Sequence, residues 1–180
     1  MDIISHALWS STLFKSLELK SKKKKFNLWK AAIFGMFPDI FAFVIPLFIF
    51  SIIIILQNGF NISGFIATIQ SSPYSDVVEM LYNISHSVVI FSLTFLLIWL
   101  IFRKPIWIMF GWLLHILIDI PTHLLSHFPT PMFWPISNFR INGIIYWREP
   151  LFMILDIMLL IIVYGIIFYL ERKKKSQYKI

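Results

Sequence analysis

His115, Asp119 and His123 follow one another at intervals of four along an apolar stretch from Ile106 to Leu125, and His127 lies one turn further on. Imidazole and carboxylate are the side chains that bind divalent transition metals. An ionisable group inside a membrane helix costs about 2.5 to 3.5 kcal/mol on insertion scales, so three in register point to a function. On a helix His115 and Asp119 face one way, while His123 is turned about 80° from His115. The chain has no cysteine, which excludes disulfides, thiolate zinc sites and cysteine nucleophiles. Any metal must be held by His, Asp or Glu.

The composition says what kind of element carries these residues. Of 180 residues 58% are hydrophobic, 18% aromatic and 14% charged, far too oily for a soluble domain. Crossing a bilayer takes about 20 helical residues. The apolar runs predict four spans, at Ala31–Gln57, Tyr74–Phe102, Ile106–His127 and Leu151–Leu170, preceded by an amphipathic or partly embedded helix from Asp2 to Leu17. The expected fold is therefore all-α, a polytopic membrane helix bundle forming one domain over residues 1–180. Met1 to His6 lacks the basic start of a secretory signal, so the first segment is read as mature structure. Pro38 and Pro46 are expected to kink the first span, and Pro121 the third beside Asp119.

Basic residues cluster at 15–30, which includes the Lys22–Lys25 run, at Arg103 and Lys104, and at 171–180. The alternate connections, Asn58–Pro73 and 128–150, carry only Arg140 and Arg148. By the positive-inside rule the lysine-rich loop 15–30 and tail 171–180 are cytoplasmic and the 128–150 loop is extracytoplasmic. The patches read as topology signals and anionic-lipid contacts, not as a nucleic-acid surface.

Counting from the basic ends places His6, Asp39 and His115 about 14 to 17 Å deep if helical, with Asp119 one turn further out. His86 lies about 25 Å from Arg103, nearer the outer face unless its helix tilts. A single histidine in a membrane helix can serve only to hydrogen-bond a neighbouring helix. As a set, His6, Asp39, His86, His115 and Asp119 are candidate metal ligands, His123 a ligand or acid/base group, and His127 an interfacial residue. Asp2 is a candidate second partner for His6, and Asp156 is expected to hydrogen-bond between helices.

At these positions the sequence resembles a known family. Ser5-His6-Ala7, Phe37-Pro38-Asp39-Ile40, Ser85-His86-Ser87, Gly111-Trp112-Leu113-Leu114-His115 with Asp119 and Thr122, and Phe133-Trp134-Pro135 look like the ordered motifs of the YdjM-like, LexA-regulated membrane-bound metal-dependent hydrolases. That family is similar in its ligand pattern to the zinc-dependent phospholipases C. The resemblance implies metal-ligand roles for His6, Asp39, His86, His115 and Asp119. It also implies a bacterial inner-membrane location. Two places depart from the pattern: Phe41 stands where the family tends to have a second acidic residue, and Leu81 and Tyr82 where it has a His-Arg pair.

A divalent ion held by such groups, zinc or else manganese or iron, lowers the pKa of its water towards 7 and polarises a phosphoryl oxygen. The expected function is hydrolysis of a phosphate ester such as a phospholipid or lipid-linked phosphate, at a site opening outward. Arg140 is the expected phosphate-holding catalytic group, with Arg148 and the aromatics Trp134, Tyr146 and Trp147 on the same side. A metal-ion or proton transporter and a non-catalytic membrane scaffold are the alternatives.

Overall fold

The computed structural model describes residues 1–21, 25–59 and 72–177. Most of the Lys22–Lys25 run, most of the connection after Asn58 and the last three residues of the basic tail lie outside the described residues. Within them there is no strand.

Helix α1 (Ile3–Lys20) begins at Asp2, whose carboxylate accepts the Ser5 N–H at 2.9 Å. Helix α2 (Leu28–Asp39) begins at Asn27, which accepts the Lys30 N–H in the same way. A π-helical turn, Ile40–Val44, leads into α3 (Ile45–Asn58). Where prolines 38 and 46 predict kinks, the chain widens into this turn directly after Asp39. Wide turns of this kind recur at functional sites. Helices α4 (Ser72–Ser85) and α5 (Val88–Phe102) follow, then a short 3-10 turn, Trp107–Met109, then α6 (Phe110–Thr122) and α7 (Pro150–Gln177).

Leu28–Gln57 and Pro150–Ser176 are each long and apolar enough to cross a membrane. The other two expected spans differ from the prediction. Tyr74–Phe102 is bent by 60° between α4 and α5, and so makes a third span only if the bent pair counts as one. The break falls at His86 and Ser87, where Ser87 is extended and its hydroxyl caps α5 by accepting the Val89 and Ile90 N–H groups. Helix α6 is 13 residues, about 20 Å, short of a ~30 Å hydrocarbon core. It stops because Pro121 ends the run of donors and His123 is extended.

The N-terminal helix also differs from an ordinary amphipathic one. Its polar residues Ser5, His6, Ser10 and Thr12 are buried, while Ile4 is 70% exposed and Leu8 and Leu17 also face outward. In a membrane protein this is the favourable orientation, with polar groups satisfied in the interior and apolar ones toward lipid. Close approach makes it feasible. A Cβ on Gly35 would lie 2.5 Å from the His6 carbonyl oxygen and 2.7 Å from Ser10 Cβ, and one on Gly111 would lie 3.0 Å from the Ala31 oxygen. Ser10 Oγ donates to the Ala31 carbonyl at 2.6 Å across the same crossing. Small residues thus bring α1, α2 and α6 within backbone distance.

Helix α7 is fastened to α1 at two levels. Asp156 accepts from Ser5 Oγ at 2.7 Å and Trp9 Nε1 at 2.8 Å, the inter-helix role expected of it. At the lysine-bearing end Lys15 bridges Glu18 and Glu171, and the Glu171 carboxylate raises the Lys15 ammonium above its ordinary pKa. Behind the polar interior, Phe91, Met109, Trp112 and Ile116 form an aromatic-rich core with Phe34, Phe37 and Phe95 around it.

Candidate metal centre

Four of the expected ligands converge. Asp39 at the end of α2, His86 at the α4–α5 break, and His115 and Asp119 on α6 each offer a donor atom within 4.8 Å of all the others, and all four are buried. His115 Nε2 is 3.1 Å from Asp119 Oδ2 and 3.7 Å from Asp39 Oδ1. His86 Nε2 is 3.4 and 3.6 Å from the same two carboxylates.

Position counting along a straight helix puts His86 nearer the outer face. The break in the span corrects this, because it turns His86 inward at the level of His115. Its polar ends are satisfied: Trp112 Nε1 donates to the Ser85 carbonyl at 2.6 Å, the Val88 N–H donates to the Met132 carbonyl at 2.9 Å, and Ser87 Oγ donates to the Trp134 carbonyl. The 132–134 segment therefore supplies two backbone acceptors to the helix break.

The remote nitrogens fix how the two rings are presented. His115 Nδ1 lies 2.7 Å from the Gly35 carbonyl oxygen, and His86 Nδ1 lies 3.2 Å from the Tyr82 carbonyl oxygen. A carbonyl can only accept, so His115 Nδ1 carries a proton and a neutral His115 ring turns its Nε2 lone pair inward; His86 Nδ1 also meets the Ser85 hydroxyl at 2.9 Å, and its Nε2 faces the same space. Those two Nε2 atoms are 3.1 Å apart. Two imidazole Nε2 atoms and two carboxylates facing one another in a buried space make an arrangement suited to a cation. Backbone carbonyls that orient histidine in this way are the usual second partners of metal-bound imidazole.

His6 joins the group from α1. Its Nε2 is 3.0 Å from Asp119 Oδ1, and its ring stacks on His115 with centroids 3.6 Å apart. Both ring nitrogens of His6, and Asp119 Oδ2, are buried without a hydrogen-bond partner. Buried polar atoms are normally paired. The unpartnered Asp119 Oδ2 and the convergence of Asp39, His86, His115 and Asp119 fit a divalent ion held by those four, with His6 packed beside them against Asp119 and His115.

His123 lies on the Asp119 Oδ1 side, its Nδ1 3.4 Å from that oxygen and 3.2 Å from the Asp119 carbonyl, and it also lines a cavity. The Met1 amino group is 2.8 Å from the same Oδ1. Arg140 is placed elsewhere. Its guanidinium donates to the Pro129 carbonyl and Asn83 at 2.9 Å each and meets Glu79 at 3.4 Å, beside a smaller pocket shared with His127 and Phe128. Asp2 is turned to Ser5, which it contacts through both N–H and hydroxyl.

Some contributors were not singled out from the sequence. Tyr82, at one of the departures from the family pattern, stacks on His86 at 3.9 Å and donates from its hydroxyl to the Phe128 carbonyl. Gly35 both admits α1 and supplies the carbonyl that orients His115. The segment after Gly143 runs along the end of α6: Gly143 N–H donates to the His123 carbonyl, Ile144 to Pro121 and Trp147 to Thr122. A glycine before two isoleucines in a loop was the available signal.

The fold and site together define a helical membrane protein with a buried His/Asp donor cluster assembled from three segments. The chain belongs to the YdjM family of inner membrane proteins, whose profile it matches over residues 1–177. No curated protein and no solved structure matches it.

Proposed function

We propose that this protein is a membrane-embedded, metal-dependent hydrolase of a phosphate ester such as a phospholipid or lipid-linked phosphate. The observation that supports this most is the convergence of the His86 and His115 Nε2 atoms with the carboxylates of Asp39 and Asp119 in one buried space. When bound there, a divalent ion, zinc first by its ligand preferences, with manganese or iron also compatible, supplies Lewis acidity and water reactive near neutral pH.

The chain's own residues supply the rest. Gly35 and Tyr82 hold the two ligating rings by their carbonyls. His6 packs flat on His115 and keeps its orientation. His123, between Asp119 and the cavity, is placed to hold or pass a proton as an acid/base group. Arg140 pins the 128–148 segment to α4 through Asn83 and Glu79 and braces the segment on itself at the Pro129 carbonyl, and so acts on the phosphate side of the site by positioning that segment. In this reading the bent α4–α5 pair and α6 complete a four-span bundle, with the lysine-rich ends cytoplasmic and the site opening outward. The partners are membrane lipids and a lipid or lipid-linked substrate, with no nucleic acid.

The test is release of phosphate or head group from a panel of phospholipids and lipid-linked phosphates by purified protein, with and without zinc, beside His115→Ala and Asp119→Asn. The account predicts metal-dependent release that both substitutions abolish. Metal-dependent uptake into proteoliposomes without any such hydrolysis would instead favour a transporter.

A further inference from the structure

A cavity of about 820 Å³ lies beside the donor cluster, within the range of small-molecule sites. Asp39 and His123 reach it from the metal-binding side, and Arg148 stands on its wall. Much of the remaining lining is apolar, with Ile4, Phe43, Val78 and Phe128 among it. One cavity therefore joins the candidate metal centre, a guanidinium and a hydrocarbon-lined wall.

Arg148 is held where an anion could meet it. The backbone N–H of its neighbour Trp147 donates to the Thr122 carbonyl at 3.1 Å, one residue before His123. Its guanidinium lies over the Trp147 ring, 4.8 Å from the centroid. Stacking of this kind orients the planar group and leaves its N–H edges free for bidentate contact with phosphate. Among the described residues Arg148 makes no ion pair, whereas Arg140 has its guanidinium spent on Pro129, Asn83 and Glu79. The cavity's other carboxylates are engaged as well: Asp2 turns to Ser5, and Asp39 belongs to the donor cluster.

We infer that Arg148 recognises the anionic head of the substrate, and that the substrate is an amphiphile whose phosphate sits between Arg148 and the Asp39/His123 end while its hydrocarbon lies on the apolar wall. This rests on the hydrolase reading above and names its substrate class and specificity residue. A small water-soluble phosphate ester shares the head chemistry but leaves the apolar wall uncovered, and a neutral diglyceride does the reverse.

The experiment titrates full-length protein with dihexanoyl phosphatidic acid, glycerol 3-phosphate and dihexanoylglycerol, in a chelator to stop turnover, for the native chain, Arg148→Gln and Arg148→Lys. Metal content is measured on the same preparations before chelation. The native chain is expected to bind the phosphatidic acid about tenfold or more tightly than either control, from the charge-assisted contact and apolar burial together. Arg148→Gln should lose roughly that factor, Arg148→Lys should recover part of it, and both should keep the metal of the native chain. Equal binding by Arg148→Gln, or equal binding of either control by the native chain, overturns the inference. A native chain that holds no metal yet binds the phosphatidic acid through Arg148 overturns the hydrolase reading and leaves the recognition standing. Metal retained without dependence on Arg148 does the opposite.

Discussion

His86 Nε2 and His115 Nε2 face each other at 3.1 Å, one ring from a break between two helices and the other from the middle of α6. His115 Nδ1 donates to the Gly35 carbonyl, and His86 Nδ1 meets the Ser85 hydroxyl and the Tyr82 carbonyl. Asp39 and Asp119 share this buried space, Asp119 Oδ1 also meeting the Met1 amino group, and a divalent ion bound among the four side chains would offset the repulsion between the carboxylates where water does not screen it. The site and the stability of the bundle should therefore be linked.

A chelator should lower the unfolding temperature of the purified protein. An ion present at 1,000 times its Kd contributes about 4 kcal/mol by mass action. In His115→Ala the difference between metal-loaded and chelated protein should vanish. Thermal unfolding in detergent, with and without chelator, measures both.

Gly35→Ala should destabilise the protein by about 1 to 3 kcal/mol, the usual cost of overpacking. The added Cβ meets the His6 carbonyl and Ser10 Cβ, so α1 must back away and take His6 with it. Lower thermal stability together with weaker zinc binding is the expected result. Gly165→Ala, inside α7 with nothing within 4 Å, should leave zinc binding unchanged and should not lower stability.

Ser87→Ala should cost about 1 kcal/mol from the lost cap of α5. It also frees the Trp134 carbonyl and loosens the break that aims His86. Zinc affinity should fall by about tenfold, in the range for residues that orient a ligand, with partial recovery in Ser87→Thr. Competition with a fluorescent zinc chelator measures it.

Asp156→Leu should leave metal binding within a factor of about two while lowering stability by about 1 to 3 kcal/mol, because Ser5 and Trp9 lose a buried acceptor. Its carboxylate fastens α7 to α1 and takes no part in the donor cluster. Metal content and thermal unfolding of the same preparation separate the two effects.

The donors were legible in the sequence because each is an ionisable residue in an apolar run, where the cost of burial makes its presence informative. Asp156 was legible as an inter-helix contact for the same reason. Less could be read about how the donors meet. Depth counting assumes a straight helix, and His86 sits at the point where that assumption fails, since a serine on each side offers local hydrogen bonds in place of the helical ladder. The inward polar face of α1 is not legible from periodicity, because an amphipathic pattern is the same whether water or lipid lies outside the helix. Arg140 is the phosphate-holding group the sequence suggests, with Arg148 on the same side, and the partners of each guanidinium reverse that order. Gly35 and Gly111 matter through contacts with other helices that periodicity does not show.

Asp39, His86, His115 and Asp119 are expected to hold a divalent ion. Elemental analysis of purified native protein beside His115→Ala and Asp119→Asn, each checked for folded helix content, tests it most directly. The account predicts bound metal in the native chain and its loss in both variants. Equal metal content in all three folded proteins would contradict it.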